Sequence, residues 1–242
     1  MAHTLSDYTT KYKLVRVFGQ ADGGEVAARL GSPVTIDRRG NLIWFDDFEA
    51  ANAVKWKTLL STGSTAELNT AYAWMNNASM KLTTHTDSGD FAAIVKYLPI
   101  PIDNSVGIEF RYRLGDGKPI TQINLTGYTG SYYFSGAVRY NFNTSKLYYL
   151  NSLGVYSEIT NTDYNGNDGE YWHYLKLALN WSTKKYIRLM YNNTTYDLSD
   201  IALYTAASAT KNMLAIALTC IADTDAAASI YVDNVILTQN EP

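Results

Sequence analysis

Cysteine occurs once in these 242 residues, at Cys220, so no internal disulfide can hold the fold together. Histidine is nearly as scarce: His3, His85 and His173 stand far apart, without the spacing of a metal-binding pair. Basic clusters are missing too. With 20 Lys and Arg against 23 Asp and Glu, the net charge of -3 offers no footprint for phosphate backbones or anionic surfaces. The expected partners thus include neither nucleic acid nor a membrane, and no apolar run approaches the roughly 18 residues that a spanning helix requires. The opening Met-Ala-His-Thr-Leu-Ser-Asp lacks the basic-then-apolar pattern of a signal peptide, which predicts cytoplasmic synthesis. A sustained 3.6-residue apolar period is absent, leaving room for a helical turn only at Asp197 to Leu203. No nucleophile elbow, phosphate-binding loop or dinucleotide fingerprint occurs.

What is present reads in twos. From Val106 to Leu114, Val106, Ile108, Phe110, Tyr112 and Leu114 alternate with Gly107, Glu109, Arg111 and Arg113, as in a strand with one buried face. The same period puts Leu175, Leu177, Leu179 and Trp181 on one face, and Tyr174, Lys176 and Asn180 on the other. It returns in Tyr186 to Tyr191, Met213 to Ile221 and Ser229 to Leu237, where Cys220 shares the apolar face of Leu214, Ile216 and Leu218. Turn formers separate these runs, as in Leu114-Gly-Asp-Gly-Lys-Pro119 and Asp163-Tyr-Asn-Gly-Asn-Asp-Gly169. Many short strands at even spacing predict an all-β, antiparallel, two-sheet sandwich, and a composition 46% hydrophobic and 18% charged can fill its core. All-β domains of about 200–250 residues are ordinary, so residues 41–242 are expected to form one domain.

Residues 1–40 differ. Tyr12 to Phe18 has strand character, but Gly19 to Gly24, Gly31-Ser-Pro33 and Asp37-Arg-Arg-Gly40 break the segment into short extended pieces. This is the composition of an extended N-terminal arm, and an arm needs a surface to lie on. A neighbouring copy or another subunit of an assembly is the expected partner.

The segment from Tyr171 to Leu198 resembles the back-sheet hairpin of concanavalin-like and laminin-G-like jelly rolls, with Trp172-His173 before an alternating strand, a polar turn and a second strand. Ile230-Tyr-Val-Asp-Asn-Val-Ile-Leu237 is similar to the closing strand of many carbohydrate-binding modules, and Trp44-Phe-Asp-Asp-Phe-Glu49 to their opening strand. The resemblance implies a jelly-roll sandwich whose first and last strands lie side by side. It also implies a structural calcium between those strands, with Asp46, Asp47 and Asp233 as ligands, while a solvated turn or hydrogen bonds to backbone N–H groups are the competing account of an Asp-Asp pair. Concanavalin-like glucanases place acid and nucleophile in a Glu-x-Asp-x-x-Glu motif. None of the seven glutamates here has an Asp two positions later, so the expectation is a protein that is not an enzyme.

Aromatic side chains remain. Among 20 tyrosines, the pairs Tyr132-Tyr133 and Tyr148-Tyr149 present one ring to each face of a strand. Exposed rings stack on the apolar faces of sugars or anchor protein interfaces, which singles out Tyr128, Tyr132, Tyr133 and Trp172 as ligand contacts. The leading expectation is a non-catalytic assembly protein, such as a phage virion surface subunit of the capsid-decoration or tail kind, working as an oligomer. The alternatives are a carbohydrate-binding module with glycan partners, and a concanavalin-like glycoside hydrolase or lyase with an unrecognised acid pair.

Overall fold

The computed structural model describes residues 37, 39–49, 56–74, 77–159 and 171–242. The strand expected at Tyr12 to Phe18 and most of the arm lie outside the described residues. Sixteen strands form, and no helix occurs among the described residues. They are β1 (Asn41–Asp46), β2 (Lys57–Leu60), β3 (Thr65–Asn69), β4 (Ser79–Thr83), β5 (Phe91–Leu98) and β6 (Ser105–Leu114). Next come β7 (Pro119–Tyr128), β8 (Tyr132–Asn141), β9 (Lys146–Leu150), β10 (Tyr156–Glu158) and β11 (Trp172–Asn180). The chain closes with β12 (Lys185–Tyr191), β13 (Thr194–Asp197), β14 (Tyr204–Ala207), β15 (Met213–Ala222) and β16 (Ser229–Gln239).

Two antiparallel sheets of eight strands stack as a jelly-roll sandwich. One sheet runs β13-β12-β11-β6-β16-β4-β3, with β1 also on β16; the other runs β10-β9-β8-β7-β15-β5-β2, with β14 also on β8. The expected side-by-side placement of the first and last strands holds: Asn41 to Asp46 of β1 pairs with Gln239 to Val235 of β16. The segment Asp197 to Leu203 carries no helix; it is a turn joined to β12 by a bridge from Lys185 to Ala202.

The alternation explains the interior. Val106, Ile108, Phe110, Leu175, Leu177 and Leu179 from one sheet meet Ile123, Leu125, Leu214, Ile216 and Leu218 from the other, all buried. Cys220 belongs to the same cluster, fully buried, and burial pushes its thiol up, away from a reactive thiolate. Glycine is needed at Gly117, where φ is 71° and a Cβ would stand 2.6 Å from the Ala227 carbonyl oxygen.

Two strands exchange one partner for another along a single edge. On β16, Ser229 to Val232 pairs with β4, whereas Val235 to Gln239 pairs with β1, and the register slips between Asp233 and Ile236. Asn234 lies in this bulge at φ 50°, a left-handed conformation that Asn tolerates. On β8, Tyr132 to Ser135 pairs with β14 and Val138 to Asn141 pairs with β9. Ala137 lies between the two partners. The Tyr186 hydroxyl crosses from the opposite sheet, accepts a hydrogen bond from Ala137 N at 3.0 Å and lies 2.7 Å from the Leu150 carbonyl oxygen. Tyr186→Phe strands a buried N–H and should lower stability by ~1–3 kcal/mol. Urea unfolding reads this as a lower midpoint at unchanged slope.

Candidate functional site

The pairing registers lay out the outer face of the second sheet as rows of side chains. Residues directly opposite one another in an antiparallel pair share a face. One row holds Tyr97, Ala215, Thr126, Ser135 and Tyr204 across β5, β15, β7, β8 and β14. The next holds Met213, Tyr128 and Tyr133. In the other direction come Val95, Ala217 and Asn124, then Ala93, Thr219, Gln122, Arg139, Tyr148 and Glu158.

Tall side chains thus flank short ones. Tyr128 and Tyr133 lie 5.6 Å apart between ring centroids, and Tyr133 meets Tyr204 edge-on at 5.8 Å. At the other end a cavity of about 160 Å³ is lined by Ile120, Arg139, Asn141, Tyr148 and Tyr156. Six residues of β7 separate Tyr128 from Gln122, which is roughly 20 Å of extended chain. Polar groups follow that line: Thr126 and Ser135 share a hydrogen bond of 2.9 Å, Gln122 donates to Asn124, and Arg139 Nε donates to Gln122. The Arg139 guanidinium stacks on Tyr156, 3.5 Å from the ring centroid.

Three phenols on this face, those of Tyr128, Tyr133 and Tyr156, are held neutral. Burial pushes Tyr128 up, with Tyr97 adding to it; burial and a hydrogen bond with Tyr204 do the same for Tyr133; burial outweighs Arg139 at Tyr156. Raised phenol values suit rings that stack and donate hydrogen bonds, and disfavour a phenolate base. The described lining of the cavity brings no carboxylate.

Of the residues singled out in the sequence, Tyr128 and Tyr133 come together on this face. Tyr132 points to the opposite side of β8 at the rim, 54% exposed. Trp172 belongs to the other sheet, edge-on to Trp74 at 6.4 Å, beside an Arg111 guanidinium 4.4 Å from the Trp74 ring. Trp172, singled out as a ligand contact beside the tyrosines, thus lies apart from them: alternation sets the face of a strand within its sheet, not which sheet receives the strand. Tyr97 and Tyr204 join the face only through long-range register, whereas Arg139, Tyr148 and Tyr156 reach it through the successive hairpins of β7 to β10. The Tyr148-Tyr149 alternation did mark Tyr148, since Tyr149 packs on the core.

The carboxylates expected to hold calcium lie where β16 changes partner, and they face N–H groups. Asp46 accepts from Phe48 N at 3.1 Å and Trp56 Nε1 at 2.9 Å, and Asp233 accepts from Trp74 N at 2.8 Å and Asn234 N at 2.7 Å. Asp47 accepts from Glu49 N at 3.3 Å. Among the described residues, the carboxylate and imidazole group whose ligand atoms converge within 4.8 Å is a different one, His85, Asp87 and Asp90, near the surface. At the β1–β16 junction the three carboxylates thus accept from N–H groups and form no converging ligand set among the described residues.

The outer face of the first sheet carries a cluster that alternation did not announce. Lys176 is fully buried, and its Nζ lies 2.8 Å from Glu241, 3.0 Å from Asp37 and 3.9 Å from Glu109. Arg188 reaches Asp37 at 3.2 Å and also pairs with Glu241. Asp37 and Glu241 come from opposite ends of the chain and close over the sheet, and the Arg39 carbonyl accepts from Lys176 at 3.0 Å. Removing one member of a buried network leaves charge uncompensated. Lys176→Ala should cost ~3–5 kcal/mol, whereas Lys146→Ala, which breaks the exposed pair with Glu158, should cost under ~1 kcal/mol. Chemical denaturation of both variants checks the contrast.

Glu109 is pushed up to about 7 by burial, against the pull of Lys176 and a hydrogen bond from the Tyr174 hydroxyl. Burial would raise Asp37 as well, but the Arg39 hydrogen bond and the Lys176 charge hold it well below the usual carboxylate range. Asp37 therefore stabilises at all pH above its ordinary value and loses this only in strong acid. Glu109 acts oppositely: between its ordinary 4.5 and about 7 the folded state binds the additional proton, so stability falls as pH rises. Glu109→Gln should remove that slope, and the Tm of the variant should gain on that of the wild type between pH 5 and pH 8.

Comparison with known proteins bears on the fold. Residues 151–241, less than half of the chain, match a family model described as a domain of unknown function, DUF6772. No curated protein sequence matches the chain. Among solved structures, an endo-beta-1,4-glucuronan lyase from the fungus Trichoderma reesei superposes with a TM-score of 0.58 at 10% identity, covering 82% of this chain and 96% of that one. A protein of unknown function with galectin-like fold from Bacillus subtilis gives 0.56 at 8% identity, covering 83% and 97%. The cellulose-induced protein Cip1 gives 0.54 at 13% identity, covering 81% and 97%. The fold is a concanavalin-like jelly roll.

Proposed function

We propose that the chain is a non-catalytic glycan-binding domain that holds a polysaccharide along the outer face of its second sheet. The observation that carries this reading is the strip of short side chains, Ala93, Ala215, Ala217 and Thr219, flanked by Tyr97, Tyr128, Tyr133 and Tyr204 at one end and by the Tyr148–Tyr156 cavity at the other. Such a strip accepts an elongated ligand, with rings for sugar faces and the half-buried Gln122 and Asn124 for hydroxyl groups, while Thr126 and Ser135 are buried and bonded to each other. The non-catalytic part rests on the raised phenols of Tyr128, Tyr133 and Tyr156 and on a cavity whose described lining holds no acid pair. A neighbour of this fold acts on glucuronan, which fits a sugar ligand on such a sandwich.

The assembly reading relied on an arm that crosses to a neighbour. Residues 1–36 of that arm lie outside the described residues, Asp37 and Arg39 pack on the domain's own Lys176 and Arg188, and it is the tyrosine face that favours the glycan-binding alternative. Titration calorimetry against soluble neutral and acidic polysaccharides tests the proposal. Tyr133→Ala and Tyr148→Ala should each weaken binding about tenfold, or ~1.4 kcal/mol, and Trp172→Ala, on the other sheet, should leave it unchanged. Absence of binding to every polysaccharide class, or loss confined to Trp172→Ala, defeats it.

A further inference from the structure

We propose that Arg139 makes this face selective for glycans that carry carboxylates, such as hexuronates, over neutral ones; the proposal rests on the glycan-binding reading above. Arg139 is half-buried in the wall of the cavity, and the contacts that orient it are neutral. Its Nε donates to Gln122, whose amide is itself tied to Asn124, and the guanidinium plane lies on the Tyr156 ring. These contacts fix the plane of the guanidinium and leave its charge uncompensated.

No carboxylate among the described residues comes within ion-pair distance of Arg139. Other charges nearby cancel. Lys146 and Glu158, the next ionic groups on the same face, are bound to each other at 2.9 Å. Among the described residues, a protein of net charge -3 thus presents a cation without an ion-pair partner in the wall of this cavity. Guanidinium offers five donors in a planar fork; with Nε–H spent on Gln122, the Nη donors remain for an anion in that plane. Two coplanar carboxylate oxygens match such a fork in a bidentate pair, stronger than a hydroxyl contact at the same place. Tyr148, directly opposite Arg139 on β9, supplies a ring beside the charge for the body of the same sugar.

The test compares oligogalacturonate and oligoglucuronate with cello- and xylo-oligosaccharides of equal length, using calorimetry at low salt. Wild type should prefer the acidic ligands by about tenfold or more, and the preference should shrink with added salt. Arg139→Gln should erase the preference while keeping affinity for neutral ligands within about threefold. Arg139→Lys should restore it only in part, because a point charge replaces the fork. Equal wild-type affinity for acidic and neutral ligands, an acid preference that survives Arg139→Gln, or tighter binding of a sulfated glycan than of either uronate overturns the inference. In each of these outcomes glycan binding itself stands. If neither acidic nor neutral ligands bind wild type, the glycan-binding reading falls and takes this inference with it.

Discussion

A buried backbone N–H or C=O must find a partner, and in this sandwich that requirement bears hardest on the two places where a strand changes neighbour. β16 leaves β4 for β1 at the Asp233–Ile236 bulge, and β8 leaves β14 for β9 at Ala137. Each change interrupts a ladder inside the protein. Side chains complete it: Asp46 and Asp233 at the first site, the Tyr186 hydroxyl at the second. The arrangement of both outer faces depends on these repairs, because β16 runs beneath the ionic cluster and β8 carries Tyr133 and Arg139.

The two outer faces have been put to different use. On the first sheet, the outward row Glu109, Lys176 and Arg188 is sealed by Asp37, Arg39 and Glu241, so charges that alternation directs outward end up buried and mutually compensated. On the second sheet, short residues lie between tyrosines, and Arg139 stands in a cavity wall with no carboxylate within ion-pair distance among the described residues. Burial therefore turns one set of charged residues into structure and leaves the other at a half-buried surface.

Much of this was legible in the residues. Val106 to Leu114 and Met213 to Ile221 announced their strands and the face each buries, and the pairing of first and last strands followed from the resemblance to jelly rolls. Tyr128 and Tyr133 were legible because a short hairpin makes them cross-strand neighbours. Tyr97 and Tyr204 were not, since they reach the same patch from about thirty residues upstream of Tyr128 and about seventy downstream of Tyr133 through pairings that no local pattern encodes. Lys176 illustrates a second limit: period two tells which side of a sheet a residue takes, but not that another part of the chain will lie over it. At Asp46 and Asp233, by contrast, both their proximity and the competing demand of backbone N–H groups were inferable, whereas the Trp56 indole and Trp74 N–H that reach them were not.

Asp37 and Glu241 meet over the same sheet, so the stretches of chain entering and leaving the domain are anchored side by side, on the side away from the tyrosines. A geometry of that kind suits a plug-in unit. Tension drawn through both points would load the β1–β16 seam one rung at a time, like a zipper, and not the whole ladder at once. Permuting the chain by linking these neighbouring points should likewise disturb little of the sandwich.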